Sequence, residues 1–459
     1  MKKVHLILAT IAGMALRLFF IAKFPYSAGD TEVYEDLARN LLDNGAYGTY
    51  FGGSFIPVNM RMPGYPAFLA AVEWLLGPGE LRVMVVQAGI DVLACLAIAW
   101  LAEKLNPRAG AIALWLAVLC PFTANYTATP LTETLATALT TVCLLILCAT
   151  LDTDVLIREK LRWFLSGIAA GLATMVRPES PLVLAAAGLA LAWACRREIL
   201  GRAFFSLVRT ALLMGAGMLL VLVPWGIRTW IATGSFEIIT NPNATMPWEP
   251  TSPGWDAWTR TWLVTSKETY DFAFKFEDDE INPNDLPPSA YDSEAEKKKT
   301  LELIERYNEL KRAPPNLDWE FAKLARERAA RHPFRQYVEI PVLRAINYWM
   351  TPRIQLLPYQ GNVFPIAWMY EDDPIDFSVT VGFFTLNLVY LSLGIYGAWK
   401  LRGNYAVTCL WMFIVVRTAF MTTHGTIEPR YMLVCFPALI ALGSAACARP
   451  GEQDTPRRS

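Results

Sequence analysis

Ten stretches of the chain are apolar over most of their length: 4–22, 82–101, 109–124, 134–150, 163–176, 180–195, 203–223, 377–398, 404–423 and 431–447. Several approach the roughly 20 residues that an α-helix needs to cross about 30 Å of hydrocarbon. The shorter ones need flanking residues or local thinning of the bilayer to reach across. Lipid offers no partner to an unpaired backbone amide or carbonyl, so such spans are helices rather than open strands. The pattern predicts an all-α polytopic membrane protein with about ten transmembrane helices.

Between the spans the period changes. In 31–43 (TEVYEDLARNLLD), Val33, Leu37 and Leu41 recur at helical spacing while Asp36 and Arg39 fall on another face, which predicts an amphipathic helix. Segment 63–77 (PGYPAFLAAVEWLLG) is apolar but short. Counting it as a span would invert every later loop, so it is read as a helix lying on the outer membrane surface.

Basic residues orient the chain by the positive-inside rule. Lys2 and Lys3 precede the first span, Lys104 and Arg108 flank one connection, and Arg158, Lys160 and Arg162 sit in another. Arg196, Arg197 and Arg202 mark a third, Lys400 and Arg402 a fourth, and Arg449, Arg457 and Arg458 lie in the tail. With all of these cytoplasmic, both termini are inside and the connections 23–81, 125–133, 177–179, 224–376 and 424–430 face outward. The N-terminus has no small-residue cleavage site and holds Arg17 in its apolar run, so it reads as an uncleaved first span. The organisation is then an N-terminal membrane module (1–223) with a first outer loop (23–81), an extracytoplasmic insert (224–376), C-terminal spans (377–447) and a cytoplasmic tail (448–459).

The insert carries most of the acidic residues. Its stretch 277–300 is rich in Asp, Pro, Ser and Lys and reads as a mobile loop. Helices are expected over 294–312 and 318–331, broken at Pro314–Pro315 and ended by His332–Pro333. The mixture of Val, Ile, Leu and Trp with Arg335 and Arg344 in 334–350 suits an interfacial helix returning the chain to the membrane.

Composition excludes more than it identifies. Net charge is −1, and only 18% of residues are charged, so nothing argues for nucleic acid. The eight cysteines lie in or beside apolar spans without a CxxC pair, which suits helix packing rather than a zinc site or disulfide framework. No GxxxxGK[ST], GxGxxG or HExxH is present.

Ionisable groups at the ends of spans are then the candidates for chemistry. Asp30 suits either a helix N-cap or a general base that takes a proton from an attacking hydroxyl. Glu32 is a second carboxylate, on a different face of the same helix, and could be the base or a hydrogen-bonding neighbour. Arg61 precedes Met62-Pro63-Gly64-Tyr65-Pro66, where two prolines fix the backbone, and suits a lipid phosphate or an interfacial anchor. Glu133 opens a span, where a carboxylate also complements the helix dipole. Arg177 and Glu179 share a tight outer turn and can neutralise one another. Trp225 reads as a membrane-belt residue, and Arg228 follows it at the start of the insert. His424, Glu428, Arg430 and Tyr431 precede the last span, where a cation could neutralise a departing phosphate or simply anchor the interface.

Gly29-Asp30 with Tyr34, Ala38 and Leu41, then Gly45-Ala46-Tyr47, then Arg61-Met62-Pro63-Gly64-Tyr65-Pro66 resembles the first outer loop of GT-C glycosyltransferases. The bacterial branch related to protein O-mannosyltransferases and to the lipid A aminoarabinose transferase is the nearest likeness. Pro130-Leu131-Thr132-Glu133, Arg177-Pro178-Glu179, Pro224-Trp225-Gly226-Ile227-Arg228 and Glu428-Pro429-Arg430-Tyr431 extend it over 1–240 and 330–447. The resemblance implies a bacterial plasma-membrane enzyme with a GT-C-like bundle, outer juxtamembrane helices and one large extracytoplasmic insert. It implies a polyprenyl-phosphate sugar as donor, a hydroxyl of a glycolipid, polysaccharide or protein as acceptor, and a single inverting displacement. Asp30 matches the base, Arg61 a basic donor-binding residue, and Arg430 the basic residue before the last helix. Arg228 is a third candidate for the donor phosphate, and Tyr65, Glu133, Arg177, Glu179, His424 and Tyr431 complete the candidate site. Family members often place a second acidic residue directly after the aspartate. Here Thr31 intervenes, which leaves the role of Glu32 open. These residues point to no certain cofactor, and Asp30, Glu32 and Glu133 could share a divalent cation. A transporter or lipid flippase, and an O-antigen ligase or polymerase, are the alternative classes; a transporter would place its ionisable groups nearer mid-membrane.

Overall fold

The computed structural model describes residues 3–27, 29–151, 159–196, 202–240, 251–276 and 279–449. Lys2, Arg158, Arg197, Arg457 and Arg458, used above to orient the chain, and the tail beyond 449 lie outside the described residues. The elements run α1 (Lys3–Lys23), α2 (Gly29–Asn44), a hairpin of β1 (Gly48–Phe51) and β2 (Ser54–Pro57), α3 (Gly64–Leu76), α4 (Glu80–Leu105) and α5 (Gly110–Val118). After the one-turn α6 (Pro121–Ala124) come α7 (Glu133–Leu151), α8 (Lys160–Val176), α9 (Leu182–Ala194) and α10 (Arg202–Thr233). Then follow α11 (Pro253–Thr259), the one-turn α12 (Ser266–Glu268), α13 (Glu294–Leu310), α14 (Pro315–Arg331), α15 (Ile340–Trp349) and α16 (Ile366–Asp372). The chain ends in α17 (Pro374–Lys400), α18 (Tyr405–Met421) and α19 (Phe436–Cys447).

Each of the ten apolar stretches is helical, and the chain is embedded in the membrane. Among the described residues, six helical segments are long and apolar enough to cross a bilayer, or seven if the pair 110–118 and 121–128, bent by 49°, is one span. The count falls short of ten because some helices are short. The 13 residues of α9 rise only about 20 Å. The expected outer-loop helices form as α2 and α3. Between them lies the β1–β2 hairpin, which the helical reading did not anticipate.

Contacts divide the chain into two compact units, Met1–Pro247 with Pro352–Val416 and Leu433–Ser459, and Trp248–Thr351 with Arg417–Met432. The second is shorter than the insert expected over 224–376 and takes in the residues before the last span.

In the larger unit, α8 and α10 approach backbone to backbone. A Cβ on Gly167 would overlap the Met214 carbonyl, and one on Gly217 the Phe164 carbonyl. Small residues permit such close packing where lipid supplies no hydrophobic drive. A second joint is ionic. Arg17 of α1 is fully buried and donates through Nε to Asp91 Oδ2 of α4 at 2.8 Å. Its Nη1 donates to the carbonyls of Gly13 and Val118 at 2.8 and 2.7 Å. Val118 ends α5, so Arg17 serves a carbonyl released where that span bends. Within an apolar bundle this is how a broken helix is tolerated.

The smaller unit has an aromatic core in which Trp255 and Trp258 pack on Phe321, and Trp255 stacks on Phe276 at 4.0 Å. The stretch expected to be a mobile loop is packed where it is described. Ile281, Leu286 and Ala290 are buried, and Arg328 donates to the carbonyls of Ser289 and Ala290 at 2.7 and 2.9 Å. The buried apolar residues and these hydrogen bonds hold the backbone, while Asp285, Ser289, Glu294 and Lys298 are exposed. Residues 277 and 278 lie outside the described residues.

Candidate active site

The loop that follows α1 folds back through its glycines. Gly52 and Gly53 take φ of 58° and 82°, the paired left-handed conformation of a two-residue hairpin turn that favours glycine. Strand β1 pairs with β2 from Gly48↔Pro57 to Phe51↔Ser54, and Asn40 Nδ2 of α2 donates to the Gly48 carbonyl at 3.0 Å. The hairpin returns the chain towards α2, and Tyr47 Oη fixes the return by donating to the Arg61 carbonyl at 2.9 Å. The result brings Arg61 to the first turn of α2, where its Nη2 donates to Asp30 Oδ1 at 2.8 Å. Both side chains are half-buried, 21% and 32% exposed, which leaves the pair within reach of a ligand.

A second ion pair is deeper. Glu133, 2% exposed at the start of α7, accepts from Arg177 Nη2 at 2.8 Å. Arg177 Nε donates to Thr132 Oγ1 at 2.9 Å, and its Nη1 lies 3.5 Å from Glu179 Oε1. Arg177 thus bridges both carboxylates named from the sequence, rather than simply neutralising its neighbour. Thr31, next to Asp30, donates to the Pro130 carbonyl at 3.3 Å and ties the two regions together.

Tyr34 stands between them. Burial raises its phenol to about 12, the Asp30 carboxylate adds to the rise, and Arg61 and Arg177 oppose it. The hydroxyl is therefore a neutral donor at ordinary pH. Burial lowers the Arg61 guanidinium, but Tyr34 and Asp30 outweigh it and hold the cation above its usual range. The Tyr34 ring meets Tyr65 edge-on at 5.1 Å, and Tyr65 Oη donates to Gln87 Oε1 at 2.8 Å. Tyr34 lay in the sequence pattern without a role assigned to it; Gln87 lies in an apolar span and gave no signal.

Glu32 is exposed on α2, on a different face from Asp30. Arg228, expected to face a phosphate, instead binds backbone: Nη1 donates to the Val58 carbonyl at 2.8 Å and Nη2 to that of Tyr47. Its guanidinium lies over the rings of Trp225 and Tyr47 at 4.9 and 5.3 Å. Trp225 is not a belt residue. It is 6% exposed and packed edge-on against Tyr47, because the first loop folds over it.

The remaining candidates belong to the smaller unit and form their own cluster. Glu428 Oε1 accepts from Arg430 Nη2 at 3.0 Å and from Tyr431 Oη at 2.9 Å. The rings of His424 and Tyr431 lie 6.5 Å apart, and Arg344 Nη1 donates to the His424 carbonyl at 3.0 Å. Among the described residues, no cluster of three or more His, Cys, Asp or Glu could hold a metal ion. Asp30 and Glu133 each face an arginine instead.

Residues 60–227 match the sequence profile of the dolichyl-phosphate-mannose-protein mannosyltransferase family. No curated protein matches the chain in sequence. Two crystal structures of the oligosaccharyltransferase of Archaeoglobus fulgidus are similar in fold. The complex with zinc and sulfate has a TM-score of 0.50 at 12% identity, over 96% of this chain and 48% of the other. The form tethered through a disulfide to an acceptor peptide containing the NVT sequon has a TM-score of 0.52 at 13% identity, over 96% and 49%. The chain therefore spans about half the length of these neighbours.

Proposed function

We propose, on the family profile over residues 60–227 and the fold shared with the oligosaccharyltransferase, that the chain is a GT-C glycosyltransferase that moves a sugar from a polyprenyl phosphate to an acceptor hydroxyl at the extracytoplasmic face of a bacterial plasma membrane. The observation that supports this most directly is the Asp30–Arg61 pair, a half-buried carboxylate and guanidinium held at 2.8 Å. A base and a cation side by side suit a reaction in which a hydroxyl loses a proton while a phosphate leaves.

In the proposed reaction Asp30 takes the proton of the acceptor hydroxyl. The hydroxyl oxygen bonds to the anomeric carbon as the bond from that carbon to the phosphate oxygen breaks. Polyprenyl phosphate departs with the electron pair, and one displacement inverts the anomeric centre. Arg61 is shared between Asp30 and the phosphate and offsets the negative charge that develops there, where little water is available to do so. Tyr34 offers a neutral hydroxyl to the sugar, and the buried Glu133–Arg177–Glu179 group holds the floor of the site. Glu32 is an exposed second carboxylate, and Arg228 shapes the loop. Arg430, with Glu428 and Tyr431 in the smaller unit, is proposed as an anion-binding residue on its sequence position. Glycolipid, polysaccharide and protein hydroxyls all satisfy this chemistry.

The deciding experiment profiles lipids and glycans in a deletion strain complemented with the wild-type chain or with Asp30→Asn. One polyprenyl-phosphate sugar should accumulate with Asp30→Asn and one envelope glycan should disappear. Wild-type glycan with Asp30→Asn would remove Asp30 as the base.

A further inference from the structure

We infer that Gln87 is a positioning residue that sets the distance between Asp30 and Arg61. This rests on the reading of those two residues as base and phosphate-binding cation. Gln87 lies in α4 and is fully buried. An amide carries both an acceptor and a donor, and here both are used. Its Oε1 accepts from Tyr65 Oη at 2.8 Å, and its Nε2 donates to the Thr129 carbonyl at 2.8 Å.

The two partners lead to opposite halves of the ion pair. Tyr65 is the second residue of α3, which begins three residues after Arg61 and follows the fixed turn of Pro63. Thr129 precedes Pro130, whose carbonyl accepts from Thr31, the residue after Asp30. The same short segment ends in Thr132 and Glu133, both held by Arg177. One side chain therefore braces α3 on the cation's side and the 129–133 segment on the base's side. Tyr65 Oη also fixes the ring against which Tyr34 packs. Gln87 touches neither member of the pair, so its effect is exerted through others. An apolar residue of similar size would fill the space but leave a buried hydroxyl and a buried carbonyl to find other partners.

The test uses the full chain in native membranes, with the lipid-linked sugar extracted from the Asp30→Asn strain as donor. Four variants are compared with wild type: Gln87→Leu, Tyr65→Phe, the double variant combining these two, and Gln87→Glu. Gln87→Leu should lower kcat by about 100-fold, the scale of a small misplacement of reacting groups, with little change in donor KM. Tyr65→Phe should lower it in the same direction, and the double variant should be no worse than Gln87→Leu, because both act through one link. Gln87→Glu gives a readout that mere packing would not move. Its neutral carboxyl can donate to Thr129 and accept from Tyr65, but its ionised form cannot donate. Rising pH favours the ionised form, so the ratio of variant to wild-type rate should fall as pH rises. Wild-type kcat in Gln87→Leu, or a ratio for Gln87→Glu that is flat across pH, would overturn the inference. If Gln87→Leu fails to fold, Tyr65→Phe and Gln87→Glu decide the question alone. An active Asp30→Asn would instead sink the active-site reading; an inactive Asp30→Asn beside a wild-type Gln87→Leu sinks only the role of Gln87.

Discussion

Arg61 Nη2 reaches Asp30 Oδ1 at 2.8 Å across 31 positions of sequence, and the intervening chain is built to make it do so. The helix α2, the Gly52–Gly53 turn and the Tyr47 hydroxyl each hold part of that return path. The contact is directional. Arg61 presents a fork whose other Nη donates to its neighbour's carbonyl, Met60, at 3.2 Å, so the guanidinium plane is fixed on both sides.

That geometry separates two substitutions. Asp30→Asn keeps an oxygen for Arg61 to bind, so the loop should stay folded while transfer falls by about 10²–10⁴-fold, the usual worth of a positioned base. Arg61→Lys keeps the charge but loses the planar fork. It should weaken donor binding and rate together, seen as a raised donor KM alongside a lowered kcat.

The buried pair Arg17–Asp91 offers a test of stability rather than activity. Removing one partner strands a charge in an apolar bundle, so Asp91→Leu alone should destabilise the chain by about 3–5 kcal/mol. Arg17→Met with Asp91→Leu should recover much of that loss, because no charge is then left unpaired. Thermal unfolding of wild type and of the two variants in detergent measures it. A double variant as unstable as Asp91→Leu would mean that the hydrogen bond from Arg17 to the Val118 carbonyl matters more to stability than the ion pair does.

Glu35 carries a pH prediction. It lines a cavity of about 200 Å³ with Glu73, Glu80 and Arg39. Burial raises its carboxyl and Glu80 adds to the rise, against a smaller pull from Arg39. A folded pKa above the unfolded value means that the stabilising contribution is complete below about pH 4.3 and is lost as pH rises through the folded value. Glu35→Gln should therefore melt higher than wild type at neutral pH, with the difference shrinking to nothing towards pH 4.

The helices were legible because membrane spans are the strongest pattern a sequence can carry, and α2 because Val33, Leu37 and Leu41 share one face. Asp30 stood out as a carboxylate beside apolar spans. The residues that hold the site together were less visible. Gln87 sits in an apolar span, where an uncharged amide breaks no pattern, and the Arg17–Asp91 pair joins two helices 74 residues apart. The Gly52–Gly53 turn was present in the sequence but its flanking strands are only four residues each, too short to outweigh a helical context. Trp225 misled for a different reason. An aromatic near the end of an apolar run suggests a lipid interface, and only the folded loop reveals Tyr47 lying over it.

Asp292 gives the opposite pH behaviour to Glu35, in the smaller unit. Its carboxylate accepts from Arg335 Nη1 and Nη2 at 2.6 and 3.1 Å, with Arg328 at 3.5 Å, Arg331 at 3.7 Å and His332 at 3.8 Å. Burial would raise it, but the Arg335 hydrogen bonds and the charges of Arg328, Arg335 and Arg331 together prevail and hold it below the usual carboxylate range. A depressed folded pKa contributes stability that is complete above the unfolded value, about 3.9, and is lost as pH falls through the folded one. Asp292→Asn should therefore be less stable than wild type at pH 7, and the gap should close on acidification below about pH 4. The buried Trp255, Trp258 and Trp262 report the transition, because unfolding of this unit moves their indoles into water and shifts their emission to longer wavelength. A gap between variant and wild type that persisted unchanged to pH 3 would mean that the loss in Asp292→Asn does not come from removing the carboxylate's charge.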